Sequence, residues 1–108
     1  LILQPMTHIE ELRKTLFDNG FIIDEEVVAK DGDKLYIIIS CYYYTGQTAY
    51  TDLDLIVGKL PHNNDMLSRE YLAKIFTKYN KKLIALKNAD KECTEVEKIV
   101  GELKQWQQ

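Results

Sequence analysis

The sequence has little cysteine and no long apolar segment. Cys41 and Cys93 are its only two cysteines, too few and too poorly spaced for a disulfide scaffold or a zinc site. No apolar run approaches the ~18–20 residues that a bilayer-spanning helix needs, and no signal-peptide pattern is present. These absences predict no membrane association and a reduced, cytoplasmic setting.

The sequence also lacks a recognisable catalytic motif. It has no glycine-rich phosphate loop, no Cys/His metal spacing and no nucleophile with a base beside it. His8 and His62 are expected to be ordinary surface residues. Glu25 and Glu26 are adjacent in a predicted strand, so their side chains point to opposite faces and cannot act as a catalytic pair. The residues alone therefore predict no catalytic residue and no metal site in this chain.

Charge is unevenly distributed along the 108 residues. The formal net charge is −3, but residues 69–87 carry six Lys or Arg residues against one acid, whereas residues 1–68 have a net charge of −6. Four lysines in the basic segment follow i, i+4, i+7, i+8 spacing and share one helix face: Lys74, Lys78, Lys81 and Lys82. This face is either a solvated lysine surface or a stripe that contacts nucleic-acid phosphates.

The first 20 residues predict a strand followed by a capped helix. Leu1–Leu3 is a short apolar run typical of a strand buried on both faces, and Pro5 ends it. Thr7 and Glu10 have the spacing of a capping box, and Asn19-Gly20 predicts the helix end. The apolar face is assigned to Ile9, Leu12, Leu16 and Phe17, and the solvent face to Glu10, Glu11, Arg13 and Lys14.

The next segment predicts a β-hairpin. Residues 21–29 are rich in β-branched side chains around an acidic centre, which indicates an exposed or bulged edge strand. Asp31-Gly32 is a strong turn signal, and Leu35–Ser40 is the most apolar run, expected to be central. The fold predicted for residues 1–57 is α/β: strand, helix, strand, then an antiparallel strand.

Beyond the hairpin the prediction is less regular and then helical. The tyrosine-rich residues 41–51 indicate a strand end and loop, or a surface on which bases or a ligand ring stack, and residues 52–57 are ambiguous. Residues 58–67 form a turn-rich linker. Residues 68–108 predict an antiparallel helical hairpin of coiled-coil character, broken at Asn88–Asp90 with Asp90 as the second cap; a single long helix is the alternative.

The order of these features resembles a known family. The chain is similar to the end of bacterial tRNA (adenine-N1)-methyltransferases that modify adenine 22 of tRNA. The features that carry this resemblance are LILQP, a helix that contains Leu12-Arg13 and ends at Asn19-Gly20-Phe21, a Gly turn, the strand Tyr36–Ile39 and the later Gly58–Pro61. The resemblance covers essentially the whole chain.

This resemblance implies the C-terminal portion of a class I, Rossmann-like methyltransferase that uses S-adenosylmethionine and acts on tRNA. Residues 1–4 would be the fifth strand, and the antiparallel strand would insert between the fifth and sixth. Gln4 and Pro5 would then neighbour the active site, and Arg13 would pair with Glu10 or contact RNA together with the four lysines. The cofactor loop and the catalytic residues would lie outside this chain, which alone would be inactive.

Two further expectations concern the chain as a unit. It opens on Leu1 within an apolar run, which favours a piece of a longer protein. It could instead be a non-catalytic interaction module that dimerises through the helical hairpin, as the apolar positions 93, 96, 100 and 103 and Trp106 suggest. Self-association through an exposed sheet edge or the helical arm is also expected.

Overall fold

The computed structural model describes residues 1–5, 7–44 and 49–106. These residues form three strands and four helices in the order β1 (Ile2–Leu3), α1 (Ile9–Asp18), β2 (Phe21–Asp31), β3 (Lys34–Tyr43), α2 (Asp52–Val57), α3 (Met66–Asn88) and α4 (Thr94–Lys104), with a 3-10 turn at Leu60–His62. No described helix is long and apolar enough to cross a membrane.

The strands form one sheet in the order β1-β3-β2. β3 is antiparallel to both neighbours, with Ile2 opposite Ser40 and Asp31 opposite Lys34, so β1 and β2 run parallel to each other. A two-residue turn joins β2 to β3, and Gly32 takes the left-handed conformation that this turn requires (φ 61°). The predicted strand–helix–strand–antiparallel strand, with the last strand inserted between the first two, is confirmed.

The acidic centre of β2 was correctly predicted to disturb the strand. The register of the β2–β3 pair shifts between Ile23 and Glu25, as in a β-bulge, and β2 lies at the edge of the sheet. Glu25 is exposed whereas Glu26 is 0% exposed, so the two carboxylates do point to opposite faces.

The prediction that the first strand is buried on both faces is wrong for this chain. Leu1 and Ile2 are 67% and 73% exposed. The reason is that, among the described residues, β1 pairs only with β3 and its other edge is open.

Helix α1 ends as predicted but does not begin as predicted. Gly20 adopts φ 84° just beyond Asn19, which fits the glycine stop. The Thr7–Glu10 capping box is wrong: the N-cap is His8, in the left-handed region (φ 55°), with no side-chain cap hydrogen bond. The carbonyl of His8 accepts the first helical bond, from Leu12 N, which leaves Thr7 one residue outside the cap position.

The predicted linker at 58–67 is firmly packed. Thr51 and Asp54 form a capping box that starts α2 in the ambiguous segment 52–57. Leu60 in the 3-10 turn is 0% exposed and belongs to the hydrophobic core. Asp65 caps α3, which begins at Met66, two residues before the expected helical region.

The C-terminal half is a helical hairpin, as predicted, and not one long helix. Five residues connect α3 to α4, the two helices pack together, and Leu103 of α4 returns to the core at 1% exposure. Asp90 does not cap α4. It lies at φ 56° in the connection, the N-cap is Cys93, and the Glu92 carboxylate accepts the Thr94 N–H at 2.7 Å instead.

The described tyrosines of the tyrosine-rich stretch differ in exposure. Tyr42, Tyr43 and Tyr44 are 49%, 65% and 65% exposed, whereas Tyr50 stacks on Phe17 with ring centroids 5.4 Å apart. Residues 45–48 of the predicted loop lie outside the described residues. The main core forms between the sheet, α1, α2 and the hairpin: Leu16, Ile23, Val28, Ile37, Ile39, Cys41, Ile56, Val57, Leu60, Leu72 and Leu103.

Candidate nucleic-acid interface

β1 and β2 are parallel, so their carboxyl ends point towards the same edge of the sheet, although β1 ends level with Glu26 and β2 continues to Asp31. In α/β sheets ligands bind outside the carboxyl ends of the parallel strands. Gln4, which is exposed, and Pro5, which is half-buried, directly follow β1 at this edge. Helix α1 starts at the same edge, since it begins only a few residues after β1 ends.

A groove of about 730 Å³ opens between the start of α1 and the middle of α3. Residues of α1 and its N-cap form one wall, including His8, Glu10 and Glu11. Lys74, Lys78 and Lys82 line the α3 wall together with Tyr71 and Tyr79, and apolar surface comes from Ile9, Ile56 and Ile75. The groove is therefore basic on one wall and acidic on the other, at the ligand-binding edge of the sheet.

The structure brings three of the four predicted lysines to this groove. Lys74, Lys78 and Lys82 line it, whereas Lys81 is exposed on the same helix but is not among the lining residues. Within residues 1–5, 7–44 and 49–106, none of the four amines forms an ion pair with a carboxylate. Their charges are thus not neutralised by a carboxylate in the described residues.

Tyr79 connects the two walls. Its hydroxyl donates to the Glu10 carboxylate, with oxygen–oxygen distances of 2.9 and 3.1 Å. Burial and then the hydrogen bond to Glu10 raise the pKa of Tyr79, so the phenol stays a neutral donor at physiological pH. The amines of Lys78 and Lys82 lie 5.7 and 5.9 Å from the centre of its ring, within cation–π range.

Arg13 lines the inner part of this groove, but it is buried rather than exposed, contrary to expectation. Its side chain is 1% exposed and forms a buried ion pair with Glu26, with Nη2 2.5 Å from Oε1. Nη1 donates to the carbonyls of Leu55 and Ile56 at 2.6 and 3.0 Å. The guanidinium is buried and is already bonded to Glu26 and to two carbonyls. The prediction that Arg13 lies on the solvent face and contacts Glu10 or RNA is therefore wrong.

The helical spacing of apolar residues in α1 was sufficient to predict that Arg13 is buried. Ile9, Leu12, Leu16 and Phe17 are positions i, i+3, i+7 and i+8, and Arg13 is the missing i+4 position of the same stripe. A basic residue at a core position implies a buried acid elsewhere in the chain. The sequence alone offered several acids and no means of selecting Glu26.

Glu26 also ties the helical hairpin to the sheet. Its Oε2 accepts the Lys59 N–H at 3.0 Å, and its main-chain carbonyl accepts from Asn63 Nδ2 at 2.7 Å. Asn63 Nδ2 also donates to Oγ of Ser68, a residue that is 0% exposed in the first turn of α3. The basic wall of the groove is thereby held at a defined position relative to the strands.

The structure offers no metal centre within its described ranges, since no three His, Cys, Asp or Glu side chains there could hold an ion together. The predicted site residues Gln4 and Pro5 lie at the sheet edge, and the chain offers no glycine-rich loop for a cofactor.

One comparison with known proteins identifies a family. The model of the tRNA (adenine(22)-N(1))-methyltransferase family matches residues 1–108. No curated protein matches the chain significantly.

Solved structures share the fold over all or nearly all of the chain. A protein of the NADB-Rossmann superfamily from Streptococcus agalactiae is 26% identical, with a TM-score of 0.76 and 100% of this chain covered. A Streptococcus pneumoniae protein solved with S-adenosyl-L-methionine is 23% identical (TM-score 0.73, 100% covered), and M. capricolum TrmK solved with S-adenosyl-homocysteine is 18% identical (TM-score 0.67, 97% covered). The chain spans 47% of the length of each of these three proteins.

Proposed function

The chain belongs to the tRNA (adenine(22)-N(1))-methyltransferase family, and we propose that it is the C-terminal portion of an enzyme that transfers a methyl group from S-adenosylmethionine to N1 of an adenine in tRNA. The family match extends over every residue, and the chain spans 47% of its structural relatives. The activity, cofactor and substrate of the whole enzyme are proposed on this basis.

The cofactor is assigned to residues outside this chain. S-adenosylmethionine supplies an electrophilic methyl group, and two structural relatives were solved with it or with its demethylated product. Gln4 and Pro5 are in a position to border such a site, because they follow β1 at the carboxyl edge. They do not form a phosphate or ribose cradle, so the chain alone is expected to be inactive.

The contribution that we assign to this chain is tRNA binding. The observation that carries it is the exposed set Lys74, Lys78, Lys81 and Lys82 on α3, close to the carboxyl edge of the sheet. Clustered lysines neutralise phosphates and release counterions, which gives sequence-independent, salt-dependent affinity. Since the Glu26 contacts anchor this helix to the sheet, a tRNA held by the lysines is oriented towards the edge where methyl transfer is proposed. An enzyme that modifies tRNA in this way belongs in the cytoplasm.

The alternative of a dimerisation arm has less support. The apolar positions on α4 that suggested it are used within the chain: Val100 and Leu103 are 8% and 1% exposed, and Trp106 packs against the core. Self-association through the open edge of β1, with Ile2 73% exposed, stays a proposal.

Methyl transfer by the full-length protein tests this function. The protein is incubated with S-adenosylmethionine and unmodified tRNA, and the nucleosides are analysed by mass spectrometry. We expect 1-methyladenosine in tRNA and none when adenine 22 is replaced by guanine. Absence of methylation with the unmodified tRNA, or an unchanged yield with the guanine variant, would refute the assignment.

A further inference from the structure

We propose that the groove between α1 and α3 binds one unpaired nucleotide of the RNA, with its phosphate on the lysine wall and its base between Tyr79 and the carboxylates of α1. This inference rests on the proposed function, in that it takes RNA as the partner. It adds a nucleotide-binding site to a surface that otherwise only attracts the RNA backbone.

The size and lining of the groove suit a nucleotide. Its volume of about 730 Å³ falls within the range of about 300–1,000 Å³ that small-molecule sites occupy. Such sites combine apolar and aromatic lining with a few polar groups, and here Ile75 and Tyr71 lie beside charged side chains. A flat electrostatic patch would need no such concavity.

The lysine wall provides the phosphate contact. Lys74, Lys78 and Lys82 are four residues apart, which places their Cα atoms about 6 Å apart along the helix axis. All three are exposed and line the groove. A phosphate at the groove mouth can therefore be reached by more than one amine.

Tyr79 provides a fixed aromatic surface. The bond from its hydroxyl to Glu10 restrains the ring, so stacking a base on it requires little further ordering. Base–aromatic stacking is a main source of single-strand affinity and does not operate on a paired duplex. The amines of Lys78 and Lys82 lie over the ring, 5.7 and 5.9 Å from its centre, so they must move aside for a stacked base and are then close to its phosphate.

The acidic wall distinguishes a nucleotide from a bare phosphate backbone. Glu10 is engaged by Tyr79, and Glu11, which is exposed, lies 3.7 Å from His8. Carboxylates repel phosphates but accept hydrogen bonds from exocyclic amino groups of bases. The exocyclic amino group of a cytosine, adenine or guanine base at this wall can donate a hydrogen bond to the Glu11 carboxylate. Uracil has no exocyclic amino group.

The test measures binding of short RNAs to the full-length protein by fluorescence anisotropy. The probes are a single-stranded oligocytidine, an oligouridine of equal length and an RNA duplex with the same number of phosphates. We expect Tyr79→Leu to weaken oligocytidine binding about tenfold and duplex binding much less. Tyr79→Phe retains the ring but loses the bond to Glu10, so it is expected to weaken oligocytidine binding less than Tyr79→Leu does.

Two neighbouring lysines supply a matched comparison. Lys81 and Lys82 are both exposed on α3, but only Lys82 lines the groove. Lys82→Gln should weaken oligocytidine binding more than Lys81→Gln, although the change in charge is the same. Glu11→Gln should reduce the preference for oligocytidine over oligouridine.

The outcomes separate this inference from the proposed function. Equal losses for Lys81→Gln and Lys82→Gln, equal losses on duplex and single strand for Tyr79→Leu, or no preference for cytidine would overturn the nucleotide site. If tRNA is still bound and methylated in those experiments, the proposed function stands. If the protein neither binds nor methylates tRNA, the proposed function itself fails.

Discussion

Arg13 of α1 and Glu26 of β2 form a buried ion pair, with exposures of 1% and 0% and a shortest N–O distance of 2.5 Å. Each buried side-chain nitrogen and oxygen of the pair has a hydrogen-bond partner, since the guanidinium also donates to the Leu55 and Ile56 carbonyls and the carboxylate accepts the Lys59 N–H. It therefore joins α1, the edge strand, the end of α2 and the start of the 3-10 turn at one point.

Removing one member of this pair is expected to destabilise the fold strongly. Arg13→Met leaves Glu26 buried without its cation, a loss of roughly 3–5 kcal/mol in the free energy of unfolding. Urea unfolding followed by circular dichroism measures it. The adjacent Lys14→Met is the control, since the Lys14–Asp18 pair is exposed and should matter little. Equal effects of the two substitutions would contradict the role assigned to the buried pair.

Gly58 is expected to tolerate no side chain. A Cβ there would collide with the Glu26 carboxylate, and the backbone has φ 55°. We expect Gly58→Ala to lower the free energy of unfolding by about 1–3 kcal/mol, from strain and overpacking.

Gly101 provides the matched control for Gly58. It lies within α4 with open space around its missing Cβ, so Gly101→Ala should stabilise the protein by roughly 0.5–1 kcal/mol. Thermal unfolding of both variants should show melting temperatures that move in opposite directions. A shift of the same sign in both would count against the proposed contact.

Stability is expected to fall in acid. The hydrogen bond from the Ser68 hydroxyl lowers the pKa of Asp65, the Lys14 amine lowers the pKa of Asp18, and the Thr94 hydroxyl lowers the pKa of Glu92. The pKa values of these three carboxyl groups are lower in the folded state than in the unfolded state. Their contribution to stability is therefore fully present above the unfolded-state pKa values, near pH 4, and is lost as the pH falls through the folded-state pKa values. Unfolding measured from pH 6 to pH 2 should show a shallower decline for Asp65→Asn. An identical decline would exclude Asp65 from the effect.

The open edge of β1 is expected to make the 108-residue chain associate with itself. Ile2 is 73% exposed on a strand that, in the described part of the chain, is paired on one side only. Sedimentation velocity at several concentrations should show association that Ile2→Lys reduces. Ile84→Lys, which alters an apolar side chain 51% exposed on α3, should have little effect. If Ile84→Lys disrupts association and Ile2→Lys does not, the interface is on the helical arm.

Local signals in the sequence predicted much of the fold. Asn19-Gly20, Asp31-Gly32 and the break at residues 88–90 each act through backbone conformation over a few residues, and all three mark boundaries in the structure. Cap identities were less predictable, because Thr7 and Asp90 suit a cap chemically but the backbone turns at His8 and Cys93. The order β1-β3-β2 depends on long-range pairing and was implied by family resemblance.

The candidate site was only partly predictable from the sequence, because it depends on contacts between residues that are far apart in the chain. Helical spacing was sufficient to group the lysines of α3, because all four lie on one element. It could not show that Lys74, Lys78 and Lys82 face the start of α1 while Lys81 does not line that groove. The Tyr79–Glu10 contact joins residues 69 positions apart and had no local signal.

Kinetic analysis of tRNA methylation tests most directly whether α3 holds the tRNA. The full-length protein is compared with a variant in which Lys74, Lys78, Lys81 and Lys82 are all glutamine. Its control replaces four other exposed lysines with glutamine: Lys59, Lys91, Lys98 and Lys104. We predict that the α3 variant raises KM for tRNA at least tenfold and flattens its dependence on salt, by about one unit of slope for each phosphate that a lysine no longer neutralises. KM for S-adenosylmethionine should not change, and the control variant should resemble wild type. Equal KM values for tRNA in the two variants would contradict the assignment of α3 as the tRNA-binding surface.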